Sequence, residues 1–125
     1  MDKFIVSFDD ENDILYLKIL GLMDDEALRE LIPRYQKLLE GRKRRYVLVD
    51  MSESPQFGAS IMTREMRDTY REMINLMEAD KSAIFGATPA LRMVARIAIA
   101  VTGKSEIAHF FKTKEEALAW LKGER

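Results

Sequence analysis

The residues best placed to do chemistry follow one short apolar run. Tyr46-Val47-Leu48-Val49 leads into Asp50, Ser52 and Ser54 and then, beyond Pro55, Phe57 and Gly58, into Ser60. A carboxylate and several hydroxyls at the end of a strand, with a helix opening beyond them, sit where open α/β sheets form their sites. Ser60 falls where that helix begins, so its hydroxyl can cap orphan backbone donors. The same place suits a phosphoserine, because a helix N-terminus favours an anion. Thr88 and Thr113 belong to the same sheet edge, which could take a small anion or a peptide. Caps and turns put such residues there in any protein of this class.

No catalytic set accompanies the edge. His109 is the only histidine, and it alternates with Ile107 and Phe111 as a core or edge strand residue would. No serine stands in a nucleophile elbow to form a triad with it. One histidine and no cysteine cannot build a typical zinc site, so neither metal nor cofactor is expected. Thr102-Gly103-Lys104-Ser105 imitates the end of a phosphate-binding loop, but the earlier glycine is replaced by Ala98 and a helix precedes it. Asp9, Glu11 and Asp13 alternate like a calcium loop, yet Leu20 occupies the position of its closing glutamate. These residues point away from an enzyme.

A second group of residues suits apolar partners. Met62, Met66, Met73 and Met77 share one helix face, and methionine fills cores or lines pockets that re-pack. Residues 89–102 form a helix apolar nearly all round, including Met93 and Ile97, with Arg92 and Arg96 as a narrow cationic edge. Such a helix is usually sandwiched between a sheet and a neighbour. With one side exposed it could rest on a membrane or cover a lipid cavity. The basic turn Arg42-Lys43-Arg44-Arg45 could add headgroup attraction, although a basic surface turn is ordinary.

The totals set bounds on these readings. At 125 residues, the chain has the length of one domain with a sizeable core. A net charge of -1 gives no whole-chain case for nucleic acid. Met1-Asp2-Lys3-Phe4 lacks a signal pattern, and no apolar run approaches the roughly 20 residues that span a bilayer. A cytoplasmic protein is expected, peripheral at the inner membrane if the apolar helix binds lipid.

Periodicity supplies the elements that position these groups. Phe4–Phe8 and Ile14–Leu20 alternate around an acidic hairpin turn. Asp24 caps a helix with Leu28, Leu31, Tyr35, Leu38 and Leu39 on one face, which Pro33 should kink and Gly41 should end. Strand Tyr46–Asp50 follows, then a helix from Ser60 or Thr63 to Ala79 and a strand from Ser82 to Ala87. Thr88-Pro89 opens the apolar helix, Ile107–Phe111 is the last strand, and Thr113 with Glu116 boxes the last helix. The order β-β-α-β-α-β-α-β-α predicts a five-stranded, mostly parallel α/β sheet with four helices.

In that order the chain resembles the STAS domain, shared by sulfate transporters and anti-sigma-factor antagonists, over roughly residues 3–122. It looks most like the small bacterial antagonist-like proteins. Val49-Asp50-Met51-Ser52 matches the family's third strand, and Phe57 falls on its apolar loop position. Ser60 falls on the position phosphorylated in the antagonists. Gly58, Ala59 and Ile61 depart from the acidic, hydroxyl and glycine positions around it. The resemblance implies a non-enzymatic regulatory module that acts through a protein partner at Asp50, Ser52, Ser54 and Ser60. We expect it to work as a homodimer. The fold is also similar to CRAL-TRIO lipid carriers, whose mobile apolar helix the 89–102 segment resembles. The alternative is therefore a lipid- or membrane-binding protein using Arg92, Met93, Arg96, Ile97, Met66, Met73 and Met77, with Arg42, Arg44 and Arg45 as headgroup contacts.

Overall fold

Strict alternation in the first two strands decides how the molecule is layered. The computed structural model describes residues 3–21, 24–53 and 64–123. Its strands are β1 (Phe4–Asp9), β2 (Ile14–Ile19), β3 (Tyr46–Asp50), β4 (Lys81–Phe85) and β5 (Ala108–Phe111). The helices are α1 (Asp25–Leu39), α2 (Arg64–Leu76), α3 (Pro89–Val101) and α4 (Lys114–Leu121). Spatial order equals chain order, with β1 antiparallel to β2 and every other neighbouring pair parallel. The five-stranded mixed sheet with four helices is the expected architecture.

Leu15, Leu17 and Ile19 point to one face, where they join Leu28, Leu31, Tyr35 and Leu39 of α1, Met73 of α2, and Leu91 and Ile99 of α3. Ile14, Leu48, Ala83 and Phe85 point to the other, where α4 supplies Ala117 and Leu121. Three helices thus cover one face and α4 covers part of the opposite one. Each large side chain buried this way is worth about 1.5–3 kcal/mol, so slipping β2 by one residue would undo the main core.

The helix ends follow local chemistry. Asp24 accepts from the Ala27 amide at 2.9 Å, Thr88 from Leu91 at 3.2 Å and Thr113 from Glu116 at 3.2 Å. Glu116 answers Thr113 through its carboxylate, which accepts the hydroxyl at 3.3 Å, instead of reaching the Thr113 amide. Pro33 does not split α1, which is one helix throughout. Pro33 is exposed, so the carbonyl it leaves without a donor can turn to water. The second helix ends at Leu76, short of Ala79, and the Lys104 ammonium caps that end at the carbonyls of Ile74, Asn75 and Met77. Its expected start at Ser60 or Thr63 lies outside the described residues.

Candidate functional site

The carboxyl end of β3 is held by its own aspartate. Asp50 is buried and accepts from the Ser52 hydroxyl at 2.6 Å and the Ser52 amide at 2.9 Å, both on Oδ1. Its Oδ2 accepts from Tyr16 Oη at 2.7 Å. Burial pushes the Asp50 pKa up, but the hydroxyls of Ser52 and Tyr16 and the Ser52 amide outweigh it and hold the carboxyl below its usual range. Tyr16 moves the opposite way: burial, then its bond to Asp50, raises its pKa.

Lys18 lies beside Asp50 in the sheet register and pairs with Glu53 on the loop. Gly86 closes the site from β4. Its φ is +80°, and a Cβ there would stand 2.7 Å from the Ser52 nitrogen. The loop after β3 therefore passes directly over the turn after β4. Met51 N adds a bond to Phe85 O at 2.9 Å.

Asp50 and Ser52 are thus hydrogen-bonded to each other, and both shape the start of the loop. Ser54 and Ser60 lie outside the described residues. Thr88 and Thr113 serve as helix caps. Tyr16, Lys18, Glu53 and Gly86 escaped sequence reasoning. Alternation sets Tyr16 and Lys18 on the side opposite Leu15, Leu17 and Ile19, but only the pairing of β2 with β3 brings them to Asp50.

The other candidates fall apart into separate places. Arg42 stacks over Phe8 at 3.3 Å and bonds Leu38 O at 2.8 Å, with Asp10 and Asp13 nearby. Arg44 faces Asp13, and Arg45 faces Glu78. The basic turn is therefore matched by carboxylates, largely those of the β1–β2 hairpin. On α3 the outer side is open: Met93, Ile97 and Val101, one turn apart, are 54%, 61% and 62% exposed. Arg96 lies over Phe110 at 5.4 Å, and Arg92 is half-buried. Met73 and Met77 face inward to the core; the side chain of Met66 and the whole of Met62 lie outside the described ones.

His109 sits exposed on the edge strand β5, stacked edge-on against Trp120 at 4.8 Å with Nε2 3.0 Å from Glu106 O. Asp9 accepts from the amides of Glu11 and Asn12 and from Asn12 Nδ2, which makes the hairpin turn. Among the described residues, no three histidine or carboxylate groups are placed to hold a metal. Nor is any helix there long and apolar enough to cross a membrane.

The sheet, its four helices and the aspartate-serine edge define a protein of the STAS class. The family model described as SpoIIAA-like matches residues 14–122, and the chain belongs to that family. Solved structures share the fold at low identity. An anti-sigma-factor antagonist (STAS) domain protein from Planctomyces limnophilus is 17% identical with a TM-score of 0.59, covering 94% of this chain and 97% of that one. An uncharacterized protein with a SpoIIAA-like fold from Shewanella loihica is 20% identical with a TM-score of 0.67, covering 97% and 95%. The anti-sigma factor antagonist SpoIIAA in its unphosphorylated form is 13% identical with a TM-score of 0.63, covering 98% of each chain. No curated protein matches the sequence.

Proposed function

We propose that this protein is a non-enzymatic regulatory module that binds a protein partner at the carboxyl edge of the sheet. The contact surface begins at Asp50 and Ser52 and continues through Ser54 to Ser60. The observation that carries this is how Asp50 is used. Its oxygens accept three hydrogen bonds, two of them from Ser52 at the start of the loop, which suits presentation of a recognition segment more than turnover. Membership in the SpoIIAA-like family supports the same reading, as do antagonist proteins among the similar folds. The reading includes a cytoplasmic homodimer and Ser60 as the residue whose charge sets affinity.

The test is cross-linking from a photoreactive residue at position 52, followed by titration of the purified partner. Ser60→Asp should weaken binding about tenfold or more, and Ser60→Ala should leave it near wild type. Equal affinity for all three forms would remove Ser60 from the mechanism.

The open stripe on α3 favours a second reading, peripheral attachment to a membrane. Met93, Ile97 and Val101 would enter the interface, with Arg96 toward anionic headgroups. Because Ile97 is 61% exposed, Ile97→Glu should leave stability within about 0.5 kcal/mol. Under this reading it abolishes flotation with anionic liposomes at physiological salt. Absence of flotation by the wild type would sink the reading.

A further inference from the structure

The interior between the sheet, α2 and α3 is not filled. A cavity of about 80 Å³ lies there, walled by Leu17, Val49, Met73, Met77, Ile84 and Ile99. An apolar cavity of about 150 Å³ is known to take benzene, and this one is about half that size, so an aliphatic chain of a few carbons enters only as the wall gives. Met73 and Met77 can also rotate to lengthen it.

Among the described residues, one cation borders this apolar wall. Lys104, just beyond α3, reaches across to the end of α2. Its Nζ donates to the carbonyls of Ile74 at 2.5 Å, Asn75 at 3.2 Å and Met77 at 3.3 Å. Those partners are neutral, and among the described residues no carboxylate forms an ion pair with it. Burial lowers its pKa against the pull of Glu78. All three ammonium donors are taken by these carbonyls, so a carboxylate would replace the longest bond, to Met77 O at 3.3 Å, and add the attraction of opposite charges that a neutral carbonyl lacks.

We propose that this cavity binds a short aliphatic carboxylate, with its chain between Met73, Met77 and Ile99 and its headgroup on Lys104 Nζ. The proposal deepens the lipid-binding alternative drawn from the sequence by naming the headgroup. It needs no membrane.

The test is titration of the full chain, labelled at the methionine methyls, with pentanoate, 1-pentanol and pentylamine. Pentanoate should shift Met73 and Met77 saturably and leave Met93, on the outer side of α3, unmoved. Pentanol should bind about tenfold more weakly and pentylamine not at all. Lys104→Met should reduce pentanoate to the level of pentanol, while Lys104→Arg retains it. Ala95→Leu, which fills the cavity from α3, should lose both ligands. Should Lys104→Met fail to fold without its cap on α2, the wild-type comparison decides alone. Equal affinity for pentanoate and pentanol would overturn the carboxylate site while sparing an apolar-ligand reading. No shift with any of the three would overturn both.

Discussion

Asp50 is a carboxylate whose burial opposes its charge and whose neighbours restore it. Replacing it with asparagine keeps the shape but turns an amide toward groups that donate. Oδ1 can still accept from the Ser52 hydroxyl and amide, but the bond to Tyr16 must reverse, with Nδ2 donating, and the charge that strengthened all three bonds is lost. Asp50→Asn should cost about 1–3 kcal/mol, read as a lowered urea midpoint at neutral pH. Tyr16→Phe removes one donor and should cost about 1 kcal/mol. Because both changes break the same bond, the double variant should lose less than their sum. At this scale the sequence shows that Asp50 and Ser52 matter, since residue type and the end of an apolar run are local facts. It does not show Tyr16, which lies 34 positions away and meets Asp50 only through sheet pairing.

The loop after β3 and the turn after β4 behave as one element. Gly86 is the contact between them, and it is constrained twice, by a φ of +80° and by the backbone of Ser52 pressed against it. Gly86→Ala must therefore strain its own backbone and displace the loop. The cost should be about 2 kcal/mol or more, and partner binding should fall with it in the cross-linking assay. Stability lost with partner binding kept would detach the loop from recognition. The neighbouring Thr88→Ala is a milder change. It removes the cap of α3 and should cost about 1 kcal/mol by thermal melting without moving the β3 loop. Element types and the caps at Asp24, Thr88 and Thr113 were legible because periodicity and capping chemistry are short-range. The capping of α2 was not, because Lys104 reaches its end from 27 to 30 positions away. The open side of α3 was also hidden: apart from the Arg92 and Arg96 edge its sequence is apolar all round, and only packing decides which side is buried.

For the whole molecule, strand order came from resemblance, because alternation tells which face a residue takes but never which strand lies beside it. That order brings Tyr16 to Asp50, one of several groups that set the pH response. Asp9 is held low by the Asn12 side chain, Asp24 by Lys3 and then the Ala27 amide, and Asp50 by Ser52 and Tyr16 against burial. For each, the unfolded chain takes up its proton first. Their stabilisation is therefore complete above about pH 4 and drains away as the pH falls through the lower folded values. Burial raises Tyr16 and Tyr35, so the folded state keeps these protons after the unfolded chain has released them near about pH 10. Stability then declines as the pH rises through the folded values. Lys18, raised by Glu53, works in the same direction, and Lys104, lowered by burial, works against it. The expected profile of urea midpoints is a plateau with an acid limb and an alkaline limb. Asp50→Asn should flatten the acid limb and leave most of the alkaline one. Tyr16→Phe should do the reverse, although some acid slope also goes with it because Tyr16 helps hold Asp50 ionised. If both variants keep wild-type slopes on both limbs, the Tyr16–Asp50–Ser52 cluster is not coupled to folding, and the loop it fixes loses its anchor.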